Sequence, residues 1–313
     1  MLLIEGYRDI PRHLQGCLVT IGNFDGVHRG HREIFRRLAA EAAQRHAPTA
    51  VITFDPHPKM IIHRERRPFY LITTLEEKKA LIEKAGIDAL ILIPFTPEFA
   101  RTTADEFVRD ILWARLRLAK ILIGHDYTFG RDKGGNEELL KAWGRRLGFE
   151  VEVMNPFTVD GEVVSSTKVR EAILAGEVER AARYLGRFYN LKGTVVEGRR
   201  RGTGLGFPTA NIEAEKVLLP AKGVYAAFAR LRGETHRAVL NIGTNPTFGD
   251  EALSVEVYLL DFRGMIYGEE LEVLFVGRLR EERKFSTPQE LVAQIHRDVA
   301  RAGEILAAAP TAW

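Results

Sequence analysis

The apolar residues of this chain change their period once, near residue 187, and that change limits the fold more than any other feature. Before it, short apolar runs alternate with amphipathic stretches. The runs Cys17–Gly22, Thr49–Phe54, Ala89–Ile93, Lys120–Gly124 and Val151–Met154 read as buried strands. Glu33–Gln44, Leu75–Ala85, Ala104–Leu116 and Glu137–Leu147 read as amphipathic helices. This alternation predicts a parallel sheet with helices on both faces. A short helical region follows Ser165-Ser166-Thr167 and runs to about Tyr184. From Asn190 on, β-type runs dominate: Lys192–Glu197, Gly223–Arg232, Thr235–Ile242, Ser254–Leu260 and Glu272–Leu279, separated by turns such as Arg232-Gly233-Glu234 and Arg263-Gly264. That spacing predicts a small antiparallel barrel. A terminal helix from Pro288 to about Ile305 follows, with Ser286 or Thr287 as its cap and Pro288 at its first position. The expected boundary lies near residues 186–190, giving an α/β domain over 1–186 and a β-barrel domain over 187–313. Two domains also suit a length of 313 residues.

Composition narrows the function classes. Hydrophobic residues make up 45% and charged residues 28%, enough apolar material for a core in each half. A net charge of +3 does not point to nucleic acid. The one basic cluster, Arg199-Arg200-Arg201, reads as a solvated turn or a flank to the adjacent Gly-rich loop, and no ladder of stacking aromatics accompanies it. The single cysteine, Cys17, sits beside Leu18 and Val19 and reads as core; it forms no disulfide within the chain, which suits a reducing compartment. Glu5 interrupts the apolar N-terminus, and no apolar run approaches the ~18 residues of a membrane span. A cytoplasmic protein without membrane or nucleic-acid partners is expected.

Two constellations carry chemistry. The first is Gly22-Asn23-Phe24-Asp25-Gly26-Val27-His28-Arg29-Gly30-His31, which follows the first strand and opens the first helix. Gly22, Gly26 and Gly30 let backbone approach a ligand, and a helix N-terminus favours phosphate. His28 and His31, three apart, share one face of the first turn, so both imidazoles can serve the same phosphate oxygens. This is chemistry for stabilising charge rather than for nucleophilic attack. Phe54-Asp55-Pro56-His57-Pro58 and Gly124-His125-Asp126-Tyr127-Thr128-Phe129-Gly130 follow other strands, where ligands of parallel sheets sit. Ser165-Ser166-Thr167-Lys168-Val169-Arg170 starts a helix with hydroxyls; alone it is a helix cap, but Arg170 can also hold a phosphate bidentately.

The second constellation is Gly202-Thr203-Gly204-Leu205-Gly206-Phe207-Pro208-Thr209-Ala210-Asn211. Alternating glycines make a loop that phosphate can approach. Thr209 and Asn211, two apart, point the same way if extended, and their oxygens suit a hard cation such as Mg²⁺ shared with ATP. No Gly-x-x-x-x-Gly-Lys-Ser/Thr is present, so a kinase here is not of the P-loop class. Ser254, Glu256 and Tyr258 share a face of one alternating strand. Glu256 is placed either to take a proton from a substrate hydroxyl or simply to face water.

The first block, with Ser-Ser-Thr-x-Val-Arg, resembles the nucleotidylyltransferase superfamily of the His-x-Gly-His signature. With Thr53-Phe54-Asp55-Pro56-His57-Pro58 added, it is similar to the FMN adenylyltransferase module of bacterial bifunctional riboflavin kinase/FAD synthetases. Gly206–Asn211, Gly223-Val224-Tyr225, the 241–249 segment Asn-Ile-Gly-Thr-Asn-Pro-Thr-Phe-Gly, Leu260-Asp261-Phe262, Tyr267-Gly268 and Arg283-Lys284-Phe285 resemble the riboflavin kinase module. The resemblance implies a Rossmann-like domain followed by a riboflavin kinase-like barrel, acting on ATP, riboflavin, FMN and FAD with Mg²⁺. It implies His28, His31 and Glu256 as catalytic. Gly22, Asn23, Phe24, Gly30, Ser166, Thr167 and Arg170 would hold ATP in the first module, and Gly204, Gly206, Thr209 and Asn211 in the second. Asp126 and Phe129 would meet flavin, and Thr209 and Asn211 would hold the metal. Tyr258 departs from the pattern, since bacterial members often carry His there.

Overall fold

The computed structural model describes residues 1–62, 69–198, 206–244 and 253–310. The chain divides into two compact units. One is Met1–Phe69 with Thr73–Ser165; the other is Tyr70–Ile72 with the chain from Ser166 on.

The first unit contains β1 (Leu2–Glu5), β2 (Leu18–Ile21), α1 (Arg29–Arg45), β3 (Thr49–Asp55), α2 (Pro58–Ile62), α3 (Leu75–Lys84) and β4 (Ala89–Pro94). It continues with α4 (Ala104–Glu106), which runs on into wider π turns over Phe107–Trp113. Then come β5 (Lys120–Gly124), α5 (Glu137–Leu147), β6 (Glu150–Met154) and a small hairpin of β7 (Thr158–Val159) and β8 (Glu162–Val163). Six strands form one parallel sheet in the order β1-β4-β3-β2-β5-β6. Alternate residues of each strand feed opposite faces. Val19, Ile21, Ile52, Ile91 and Ile123 build one core with Phe107 and Phe129, while Leu18, Val51, Leu90 and Leu122 build the other with Phe35 and Leu38 of α1. Cys17 lies in the first core with no exposed surface, and burial pushes its thiol up to about 12, so it is inert at neutral pH. The strand order reverses between β2 and β5, and such a switch point opens a crevice beyond the carboxyl ends of the two strands. The loops that leave those ends begin at Gly22 and Gly124.

The second unit contains α6 (Ser166–Leu174), α7 (Val178–Leu185), β9 (Tyr189–Val196), β10 (Ala210–Ala214), β11 (Gly223–Leu231), β12 (Glu234–Thr244), β13 (Leu253–Leu259), β14 (Glu270–Arg280) and α8 (Pro288–Ala308). The strands close an antiparallel barrel in the order β10-β13-β12-β11-β14-β9. Tyr225, Leu240 and Val257 stand opposite one another on adjacent strands and fill its interior. The outer face made by Val224, Ala226, Phe228, Val239, Leu274 and Val276 is covered by Ala302 and Leu306 of α8. Arg232 and Gly233, both at positive φ (52° and 84°), make the two-residue turn between β11 and β12, as right-handed strand twist favours. Thr287, not Ser286, caps α8: its hydroxyl accepts from Glu290 N at 3.2 Å.

The α6–α7 pair packs with the barrel. The Glu179 carboxylate of α7 accepts from Arg278 N on β14 at 2.9 Å, beside Gly277, whose missing side chain leaves room for it. The expected boundary near 186–190 coincides with the end of α7, where Gly186 adopts φ 68°. The division by packing falls earlier, at residue 165.

Candidate active sites

The loop after β2 is held in a demanding shape. Phe24 and Val27 adopt positive φ (48° and 38°), which a β-branched residue rarely does without support. That support comes from buried polar groups. Thr73 Oγ1 accepts from Gly26 N at 3.1 Å, and Thr73 N and Oγ1 donate to Asp25 Oδ1 at 3.3 and 3.4 Å. Thr53 donates to Asn23 O at 3.2 Å. Phe24 is buried, with its ring 4.9 Å from Phe35 and 5.1 Å, edge-on, from His31. It supports His31 from behind.

His28 is the N-cap of α1. Its Nδ1 accepts from His31 N at 3.3 Å, the task usually given to Ser, Thr or Asp. That bond needs the Nδ1 lone pair, so the proton of a neutral His28 sits on Nε2. The two rings stack at 3.5 Å with 20° between planes. Gly30 permits this: a Cβ there would lie 3.2 Å from His28 Cε1 and Nδ1 and 3.4 Å from Phe157 Cβ. Gly22 is under similar constraint, since a Cβ would meet Phe24 Cζ at 2.9 Å. The result is two imidazoles and a helix N-terminus gathered at one point, an arrangement that stabilises phosphate charge. Gly30→Ala should therefore tilt the His28 ring and, if the two imidazoles serve phosphate as the resemblance implies, lower adenylyl transfer by about tenfold. Rates of the two half-reactions in the folded variant test this.

Other residues fall as follows. His57 is buried, its Nδ1 accepting from Lys59 N at 3.2 Å and its ring 4.4 Å from Phe69. After β5, the Asp126 side chain is 84% exposed. Tyr127 is half-buried against the first core, desolvation raises its hydroxyl pKa, and its ring stacks on Phe129. Phe129 lies within the core, with Gly135 bare against its ring. In the second unit, Ser166 and Thr167 open α6. Arg170 donates to Tyr70 O at 2.7 Å and Ser166 O at 3.3 Å.

The barrel places its polar residues by register. Asn211 of β10 stands opposite Glu256 of β13, and Glu256 stands opposite Asn241 of β12. Opposed residues share a face. Ser254 and Tyr258 lie on that face too, opposite Gly243 and Val239. Thr209 immediately precedes β10, and Asn211 is 7% exposed. Its Oδ1 is buried without a hydrogen-bond partner among the described residues, while its amide nitrogen is turned toward Gly198. Such an oxygen is costly unless a hydrogen-bond donor or a cation comes to it. Phe207 packs between Tyr258 (5.5 Å) and His296 of α8 (5.1 Å), bracing the segment before Thr209. Gly206 adopts φ 87°. Gly204, and with it Gly202 and Thr203, lies outside the described residues, as does the 245–249 part of the second motif.

Comparison with known proteins follows the same division. The FAD synthetase family model matches residues 10–168, and the riboflavin kinase family model matches residues 185–306. The chain belongs to the bifunctional riboflavin kinase/FMN adenylyltransferase family. The Haemophilus influenzae member is 39% identical over 303 residues, covering 96% of this chain and 98% of its own. The Listeria monocytogenes member is 41% identical over 285 residues, 90% of each chain. A solved structure from Streptococcus pneumoniae, described as a macrolide-efflux protein, covers 96% of this chain and 99% of its own with TM-score 0.87 at 32% identity. Among the described residues no helix is long and apolar enough to cross a membrane.

Two supporting residues escaped the sequence reading. Thr73 reaches back to the His loop from far along the chain, which no local pattern shows. Lys78 is 4% exposed on α3; burial lowers its pKa, while Asp25 and Asp55 pull it back up. A lysine between helical apolar positions signals nothing until the fold brings those carboxylates near it.

Proposed function

We propose that the two activities of this family are divided between modules at residue 186. Residues 1–186 adenylylate FMN, giving FAD and pyrophosphate. Residues 187–313 phosphorylate riboflavin with ATP, giving FMN and ADP. The observation that carries this reading is the barrel register that sets Asn211 opposite Glu256, with a buried unpartnered oxygen at Asn211.

In the kinase module, Thr209 and Asn211 offer neutral oxygen ligands, which fit a Mg²⁺ whose charge is balanced by ATP phosphates. When bound, that ion offsets phosphate charge as the γ-phosphoryl group moves. Glu256 takes the proton from the ribityl hydroxyl as its oxygen attacks the γ-phosphorus and ADP departs. Gly204 and Gly206 let the loop approach the phosphates.

In the adenylyltransferase module, an FMN phosphate oxygen attacks the α-phosphorus of ATP. His28 donates through Nε2–H, and His31 from the stacked ring, to the oxygens that gain charge. Gly22, Asn23 and Gly30 let ATP approach the backbone, with Phe24 behind them. On their motif, Ser166, Thr167 and Arg170 are assigned to phosphate, and Asp126 and Phe129 to the flavin side. A cytoplasmic location accompanies the reading.

The test is a time course of the intact chain with riboflavin, ATP and Mg²⁺, resolving the flavins. FMN should rise first and FAD follow, with FAD alone forming from added FMN. Accumulation of FMN with no FAD, or failure to use riboflavin while FMN is converted, would reject the bifunctional assignment.

A further inference from the structure

We propose that Thr73 is a positioning residue for FMN adenylylation, its hydroxyl fixing the loop that delivers the His28 imidazole. The proposal rests on the reading of His28 as a donor to phosphate. Thr73 lies 47 residues along the chain from Gly26, the residue whose backbone it holds.

The loop needs such a hold. Phe24, Gly26 and Val27 all adopt positive φ, at 48°, 83° and 38°. Glycine takes this conformation freely, but Phe and the β-branched Val do so at a cost, so the shape persists only where the surroundings fix it. Val27 is fully buried, and its N–H donates to Phe24 O at 3.2 Å, closing a tight turn. His28 follows directly with extended backbone (φ −69°, ψ 172°), and its ring caps α1. A shift of the loop at Gly26 therefore reaches His28 within two residues. The Nε2–H that His28 offers to phosphate turns with the ring.

One hydroxyl serves two groups of this loop. Gly26 N donates to Thr73 Oγ1 at 3.1 Å, and that hydroxyl donates in turn to Asp25 Oδ1 at 3.4 Å. Thr73 N donates to the same carboxylate oxygen at 3.3 Å. Successive loop residues are thus bound to Thr73, one through its backbone and one through its side chain. Thr73 and Asp25 are each 1% exposed, so solvent hardly reaches these bonds. Valine would fill the same buried space with no polar group to satisfy, which gives the hydroxyl its meaning. Thr73 is itself held in place. The next residue, Thr74, opens α3 with a reciprocal cap: its Oγ1 accepts from Glu77 N at 3.2 Å and its N donates to Glu77 Oε2 at 2.9 Å. A group that positions another must be fixed in this way.

The experiment measures both half-reactions and urea unfolding of the intact chain for Thr73→Val, Thr73→Ala, Thr73→Ser, His28→Ala, Asn136→Ala and the Thr73→Val/His28→Ala double variant. Thr73→Val keeps the volume and removes the hydroxyl; Thr73→Ala removes it without adding a methyl group. Each should lower kcat for FMN adenylylation about 10- to 100-fold, the range for a catalytic group displaced by up to about 1 Å. KM for ATP and FMN should stay within about threefold, since the misplaced donor acts in the transition state. Thr73→Ser restores the hydroxyl and should remain within about threefold of the parent kcat. Asn136 caps α5 of the same unit, its Oδ1 accepting from Leu139 N at 3.0 Å. Asn136→Ala should lower the unfolding midpoint and leave kcat unchanged, which separates positioning from a general loss of stability. Added to His28→Ala, Thr73→Val should cost nothing further. Riboflavin phosphorylation should be unaffected in every variant. Where Thr73→Val does not fold, Thr73→Ala takes its place in each comparison. A near-normal kcat without the hydroxyl, beside a slow His28→Ala, overturns the proposal and spares the reading of His28. A near-normal His28→Ala removes that reading and the proposal together. Thr73→Ser as slow as Thr73→Val, additive losses in the double variant, or a matching loss in Asn136→Ala also overturns it.

Discussion

Replacing either His28 or His31 with Ala should slow FMN adenylylation on the order of 10²–10³-fold, the usual cost of one preorganised donor to developing charge. Riboflavin phosphorylation should be nearly untouched, because its residues belong to the barrel. The two substitutions should nevertheless differ. His31→Ala removes a donor and a ring that packs on Phe24. His28→Ala removes a donor and also the cap of α1, so it should lose about 1 kcal/mol of stability as well. His28→Ser separates these effects, because a hydroxyl restores the cap but does not reach as an imidazole does. It should recover the unfolding midpoint and leave the rate low. Pyrophosphate release with FMN as substrate, measured beside urea unfolding, decides the matter. Equal loss of both half-reactions in a folded variant would remove the histidines from their assigned step.

The elements were legible where the hydrophobic period was long. All five strands expected in the first half are present, as is the barrel with its closing helix. What escaped notice was short or set by distant partners. The strand β1 has four residues, of which only Ile4 is buried, so its sequence carries almost no alternation; pairing with β4 makes it a strand. The same applies to β10, whose five residues follow a Gly-rich loop that reads as a turn. The packing boundary was hidden for another reason. The residues of α6 and α7 have helical period, which groups them with the α/β half, yet Glu179 and the bare backbone of Gly277 dock α7 on the barrel. Period reports local structure, not which core an element joins.

The sites were legible to the extent that they are contiguous. Glycines and histidines at fixed spacing marked the loop after β2, and the structure adds why they are spaced so: Gly30 leaves room for the His28 ring, and His28 gives its Nδ1 to the helix. Supporting residues from elsewhere could not be read. Thr73 and Lys78 are ordinary in their local sequence and acquire meaning from loop packing and burial. Ser254, Glu256 and Tyr258 were placed on one face by alternation alone, and the register agrees; that Asn211 and Asn241 flank Glu256 required the pairing of three strands.

Glu256→Gln and Asn211→Ala should impair riboflavin phosphorylation in different ways. Glu256→Gln keeps size and hydrogen bonding but removes proton acceptance, so kcat should fall about 10²–10⁴-fold, the usual range for general base catalysis. ATP affinity should remain within a few-fold, because a carboxylate that serves as the base acts on the hydroxyl and not on the nucleotide. Asn211→Ala removes an oxygen that is buried and unpartnered among the described residues. If that oxygen serves Mg²⁺, the variant should bind Mg²⁺·ATP less productively and recover in part as Mg²⁺ is raised. Glu256→Gln should gain nothing from the same increase. The shared strand register sharpens the contrast, since Asn211 and Glu256 stand directly opposite and any general distortion of the β10–β13 pair would strike both variants alike. Steady-state kinetics of both half-reactions across a Mg²⁺ series separates the cases. A Glu256→Gln enzyme with near-normal kcat would return that residue to a strand carboxylate facing water. An Asn211→Ala defect indifferent to Mg²⁺ would mean that its buried oxygen meets substrate or the loop before β10, and not the metal.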